Sequence, residues 1–287
     1  SREYANPLLD LLYLPADYNA AAEFPADERG DGFDNNAGTL TLSPMLIEKY
    51  LSATEKAVGL AMVPGVDTQI ENNFNLLGPN KINDPGRTRP EDFANRQATI
   101  RLNMEVFLPR AWRRPVTQAE VDDIMKFVAL GFAHDGESRP KAQSLAIRAA
   151  LMSPNFLFRM EADPKADGTD KIFQLTEHQL ASRLSYFLWS TMPDEALFAA
   201  ASQNRLRAGL DGELTRMLKD PKAASLTRDF LGQWLEIRGL EQTPNVDKAL
   251  LASMRTETEK FFEYIVSNDR PITDLLDADY SFVDERL

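Results

Sequence analysis

The stretch TQAEVDDIMKFVALGF, residues 117–132, decides the fold class. Thr117 and Glu120 stand three positions apart, the spacing of a capping box, in which hydroxyl and carboxylate each satisfy an otherwise orphaned backbone N–H. Val121, Ile124, Met125, Val128 and Phe132 then recur at helical spacing. The same grammar returns downstream. Thr176 and Gln179 form a second box, followed by Leu180, Leu184, Phe187 and Leu188. Asp220-Pro221 supplies an N-cap and a proline at the first helical position, and Leu226, Phe230, Trp234 and Ile237 form the stripe that follows. A long helix is predicted from Val246 to about Ser267, with Pro271 beyond its end. Upstream, Ser43-Pro44 opens a helix through Met62 that offers Leu46, Ile47, Tyr50, Leu51, Val58 and Met62 for burial. Arg2 to Leu14 also reads as a helix, with Pro7 in its first turn. No run alternates with period two for long enough to build a sheet. The expectation is a mainly α protein, a helical array of about nine to ten helices. An irregular, acidic, Asn- and Gly-containing loop lies near the N-terminus, within Pro15–Leu42.

Composition narrows the functions. The chain has 287 residues, no cysteine, two histidines and a net charge of −12. Without cysteine there is no disulfide, no thiolate metal site and no thioether attachment for haem within it. The acidic balance argues against a nucleic-acid surface, which needs clustered cations. No stretch reaches the roughly 18 apolar residues that a membrane span requires. The sequence divides into an amino-terminal helical segment with the acidic loop (1–65) and an Asn/Gly/Pro-rich linker (66–98) where another module could be inserted. A small helical domain (99–165) and a larger one (166–287) follow. The aromatic and apolar residues that run to Leu287 suggest a piece of a longer polypeptide.

Two local constellations could carry chemistry. Asp27-Glu-Arg-Gly-Asp31-Gly-Phe-Asp34-Asn35-Asn36 is the densest polar cluster. Asp27, Asp31, Asp34, Asn35 and Asn36 offer the oxygens that Ca²⁺ or a polar ligand would take, although Arg29 and Phe33 break the EF-hand spacing. The plainer reading is an ordered turn whose Asn and Asp side chains bond their own backbone. Arg110, Trp112, Arg113 and Arg114 form the most basic run of an acidic chain. They could bind an anionic group or an acidic partner. Alternatively, Trp112 anchors the core and the arginines bridge helices. Arg148, Arg183, Arg228, Glu257 and Glu259 lie within apolar patterns and read as interhelical ion pairs. His134 at a helix end and His178 within a capping box read as structural. Dinucleotide, Walker, nucleophile-elbow and zinc-protease motifs are all absent.

Several strings together resemble one known family. Arg2-Glu-Tyr, Leu8-Leu-Asp-Leu-Leu12, Gly32-Phe-Asp-Asn-Asn36 and Leu40 to Tyr50 resemble the amino-terminal domain of a large exported family abundant in planctomycetes and their relatives. Phe107 to Thr117 and Ser153-Pro-Asn-Phe-Leu-Phe-Arg159 resemble its second domain. Leu180 to Ser190, Arg228-Asp-Phe-Leu-Gly-Gln-Trp234 and Asp274 to Tyr280 resemble its third. The resemblance implies domains of uncharacterised function, exported to an extracytoplasmic location and often joined to a cytochrome c-like module. It also implies further carboxy-terminal domains and, in many relatives, a β-rich, carbohydrate-binding-like insertion near residues 66–90. It supplies no catalytic residues.

The expected function is a non-catalytic helical scaffold of an exported, cytochrome c-associated redox protein. Its partner would be a cytochrome c-like module or redox partner protein, with no haem in this segment and haem c elsewhere in the full-length protein. One alternative is an extracytoplasmic enzyme acting on polysaccharide or its breakdown products through acidic residues near Asp31 and Asp34. Another is a calcium-stabilised structural module.

Overall fold

The computed structural model describes residues 2–27, 30, 32–35, 41–62, 93–135, 139–161 and 173–287. The linker expected over 66–98 therefore lies largely outside the described residues, as do Asp31 and Asn36. The architecture is an array of helices: α1 (Arg2–Leu12), α2 (Pro44–Ala61), α3 (Phe93–Trp112), α4 (Gln118–Asp135), α5 (Arg139–Met152), α6 (Glu177–Trp189), α7 (Glu195–Ser202), α8 (Leu210–Lys219) and α9 (Lys248–Ser267). Shorter turns connect them, and no strand occurs among the described residues beyond a single bridge between Gly30 and Phe33. None of the described helices is long and apolar enough to cross a membrane.

The helix starts follow the sequence. Thr117 N–H donates to Glu120 Oε2 at 2.8 Å and Glu120 N–H to Thr117 Oγ1 at 3.3 Å. Thr176 and Gln179 repeat the exchange at 2.8 and 3.2 Å. Ser43 and Asp247 cap α2 and α9. Each side-chain cap contributes about 1 kcal/mol. In α1 the proline sits a turn later than expected, at the sixth helical residue.

Two apolar cores result. The first is built by α1 to α5, with Leu8, Leu11, Ile100, Phe107, Leu108, Val121, Val128, Ile147 and Leu151 buried. Each such side chain contributes about 1.5–3 kcal/mol of burial. On α2 the buried face is Ala53, Thr54, Ala57 and Val58, while Ile47 and Leu51 are exposed. Small residues let α2 and α5 approach closely, and that contact sets which face turns inward. The second core gathers Trp189, Leu197, Leu206, Met217, Leu231 and Phe262. Trp112 and Trp189 each tie their indole N–H to a backbone carbonyl, of Ala150 at 3.1 Å and Met217 at 3.0 Å.

The segment after Asp220-Pro221 is not the continuous helix that its stripe predicts. A 3₁₀ turn (Pro221–Ala223) leads into π-helical winding over Leu226–Leu231, a short α turn (Gly232–Trp234) and a further 3₁₀ stretch (Ile237–Gln242). A π turn takes more residues than an α turn. Residues beyond it therefore rotate out of register: Leu226 and Leu231 are buried, whereas Trp234 is 46% exposed.

The amino-terminal helix joins the two cores. Asn6 Nδ2 donates to the Ser190 carbonyl at 3.0 Å, Thr191 Oγ1 donates to Asp10 at 2.7 Å, and Lys222 Nζ lies 3.0 Å from Asp10. Ser190 closes α6 in the left-handed region at φ 53°, which aims its carbonyl at Asn6.

Candidate functional site

A cleft of about 1040 Å³ opens where the start of α1, the acidic loop, the segment after Phe158, α6 and the π-helical turn converge. It lies at a junction of separate structural units, the usual place for a ligand site. Its charged walls are built from long-range pairs. Arg2 Nη1 lies 2.5 Å from Asp229, and Arg159 Nη1 lies 2.5 Å from Glu3. Arg183 grips Glu161 with two bonds at 2.6 and 2.5 Å, the planar fork geometry that a guanidinium offers a carboxylate. Arg238 bonds Asp34 and reaches the Asp229 carbonyl at 3.3 Å.

Asp229 is the hub. Its side chain is only 13% exposed and takes Arg2, Arg228 at 3.1 Å and the Ser190 hydroxyl at 3.1 Å. Gln233, one α turn on, donates to the Asp229 carbonyl at 2.6 Å and accepts the Asp34 N–H at 2.8 Å. Asn35 Nδ2 donates to Glu3 at 3.2 Å. The loop itself turns tightly, with Gly30 and Phe33 exchanging backbone bonds at 2.8 and 3.0 Å around Gly32 at φ +87°.

Aromatic faces form the rest of the wall. Phe33 and Phe230 line it and stack at 5.9 Å, and Trp234 backs Phe230 from outside the lining at 5.8 Å, with planes within 24°. Phe187 meets Phe230 edge-on at 5.9 Å and is itself 57% exposed. Tyr186 lies beneath, its ring 4.5 Å from the Arg159 guanidinium and 5.7 Å from that of Arg113. Burial pushes its phenol pKa up, while the two arginines pull it back down.

Of the residues singled out in the sequence, Asp27, Asp34 and Asn35 line this cleft together. Trp112 is buried in the first core, while Arg110 and Arg113 reach across to the second half, at Glu195 and Tyr186. Arg110 pairs with Glu195 at 3.3 Å, and Arg114 pairs with Glu120 at 2.6 Å and Asn155 at 2.9 Å. Arg113 is 5% exposed and donates to the carbonyls of Ala111, Asn155, Phe156 and Phe158. Arg148 pairs with Glu55 and Glu259 with Arg255 at 2.9 Å, both across partly exposed surfaces. His178 bonds Ser202 at 3.3 Å, and burial lowers its pKa, favouring the neutral ring.

Sequence reasoning did not single out Glu3, Arg159, Asp229, Gln233 or Arg238 as site residues. The first four sit inside the strings Arg2-Glu-Tyr, Ser153 to Arg159 and Arg228 to Trp234, where the signal lay. No group of three or more acidic or histidine side chains is placed to hold a metal among the described residues. Asp34 and Asn35 are engaged instead by Arg238 and Glu3.

Comparison with known proteins adds the family. Residues 1–63 match DUF1587, residues 99–161 match DUF1595 and residues 175–287 match DUF1592, each described as a protein of unknown function. No curated protein and no solved structure matches the chain. The three matches follow one another over most of its length, and each contributes a wall of the cleft. The chain is thus built of three regions that match, in order, the uncharacterised domain families DUF1587, DUF1595 and DUF1592.

Proposed function

We propose that the chain is a non-catalytic helical scaffold of an exported redox protein, and that the interdomain cleft is where it engages another molecule. One observation carries the non-catalytic part: the two carboxylates best placed to act, Asp34 and Asp229, are tied to the same guanidinium of Arg238. Acid–base catalysis by a carboxylate pair needs one group held protonated and the other free to take a proton or attack. Two carboxylates sharing one cation form a structural ion-pair cluster instead. The redox setting and the cytochrome c-like partner rest on the family resemblance. Haem attached through cysteines would belong to another module, since this chain has none.

Absorption spectra test the reading. A Soret band from the full-length gene product and none from the 287-residue chain are expected. A Soret band from the chain alone overturns it. The second reading, an enzyme acting on polysaccharide, is favoured by the opening of Asp27 and Asp34 into the cleft. It requires turnover that disappears in Asp34→Ala while the fold persists. The third, a calcium-stabilised module, requires that a chelator lower the melting temperature.

A further inference from the structure

We infer that the cleft binds an uncharged oligosaccharide, an assignment that rests on the reading of the cleft as a binding site. Three features of its wall converge on that chemistry.

The first is charge. Each of the four rim arginines faces a carboxylate of the opposite wall at ion-pair distance. An anionic ligand seated on a guanidinium lies against the carboxylate already there, and a cationic one seated on a carboxylate lies against the guanidinium of the same pair. Both arrangements set like charges together in a partly desolvated site. A neutral ligand avoids both. A guanidinium has five N–H groups and a carboxylate about four lone-pair sites. One ion pair leaves much of that capacity unspent, with donor and acceptor held side by side. Adjacent sugar hydroxyls, each able to donate and accept, match such an array.

The second is the aromatic wall. Phe187 is 57% exposed on the cleft side of α6, and Phe33 and Phe230 continue the ring surface behind it. A solvated ring face beside fixed polar groups suits a ligand with one apolar and one polar face. A pyranose has that form, with C–H groups on its faces and hydroxyls around its edge. Phe230 reaches this side from within the π-helical winding, and such winding recurs at functional sites.

The third is size. At about 1040 Å³ the cleft stands at the upper end of small-molecule pockets, which run to roughly 1000 Å³. It accommodates several linked rings rather than one.

The test is isothermal titration of the 287-residue chain with cellotetraose, xylotetraose, mannotetraose and laminaritetraose, each to about 10 mM. Tetragalacturonate and hexalysine serve as charged probes. At least one neutral tetrasaccharide is expected to bind. The affinity should hold between about 0.05 and 0.5 M salt, because no charge on the ligand is screened. Phe187→Ala should weaken it at least tenfold, roughly the loss of one stacking contact. Phe187 is largely solvated, so an unchanged melting temperature identifies the loss as local. Failure of every neutral tetrasaccharide to bind overturns the assignment, as does binding that Phe187→Ala leaves intact. If only a charged probe binds, and Phe187→Ala weakens it, the ligand class is wrong while the cleft remains a binding site. Hydrolysis of a bound tetrasaccharide would overturn the non-catalytic reading and leave the ligand class standing.

Discussion

Arg113 is a buried cation with no carboxylate at ion-pair distance among the described residues. Four backbone carbonyls take its N–H groups, and the Phe156 and Tyr186 rings lie within 5.8 Å of its guanidinium. It adopts φ 57° to do so. Replacing it with methionine preserves much of the stem but strands the carbonyls of Asn155, Phe156 and Phe158. Arg113→Met is therefore expected to cost about 3 kcal/mol, read as a lower denaturant midpoint at unchanged slope. Arg113→Lys should recover only part of this, because an ammonium cannot span the planar array. The neighbouring Glu120 makes a pH prediction. Its pKa is lowered from 4.5 to about 2, first by the hydrogen bond from Arg114 and further by Thr117. A depressed carboxylate contributes stability that is complete above its unfolded value and lost as pH falls through the folded one. Stability should thus decline between about pH 4.5 and 2, and less steeply in Glu120→Gln, measured by thermal melts across that window. The Arg110–Arg114 run was legible as a core tryptophan with bridging arginines, but not in the burial of Arg113, since a charge run carries no mark of which carbonyls will receive it.

Helix α4 packs on α5 with almost no space between them. A Cβ placed on Gly131 would come within 2.7 Å of the Ala142 backbone. Because backbone cannot yield as a side chain can, Gly131→Ala should force the helices apart and cost about 1–3 kcal/mol. A lower melting temperature with unchanged far-UV circular dichroism is the expected result. The ends of these helices were readable because caps are local: Thr117 and Glu120 lie within one turn and need no other part of the chain. The stripe Leu226, Phe230, Trp234 and Ile237 misled for the opposite reason. Its spacing fits an α-helix, but the π-helical turn is imposed by packing against α6 and α9, and no residue in the stripe announces it.

Across the whole molecule, α1 supplies one of several couplings between the two cores, beside Met192 and Phe198 against the first core and the Arg110–Glu195 pair. Asp10 accepts Thr191 and Lys222, and Asn6 reaches Ser190. Asp10→Ala removes two of these links at once while leaving both cores intact. A single unfolding transition in the parent chain and two resolved transitions, or a reduced denaturant slope, in the variant are the expected outcomes. This scale was the least legible in the sequence. The mainly α class could be read from periodicity, and Asp27, Asp34 and Asn35 from composition. The partners of the cleft, however, are separated by 156 residues for Glu3 and Arg159, 204 for Asp34 and Arg238, and 227 for Arg2 and Asp229. Nothing in a charge pattern says which acid meets which base across such distances.

Gln233 adds a matter of timing. Its amide accepts from Asp34 on one side and donates to Asp229 on the other, so one side chain stands in for a peptide unit between the acidic loop and the third domain. Gln233 and the loop residue Asp34 are 199 positions apart along the chain. During synthesis at roughly 5–20 residues per second, the loop is made about ten to forty seconds before the residue that fastens it. Its acidic side chains spend that interval without their arginines. The cleft can consequently assemble only once residues 229–238, within the third of these regions, have been made.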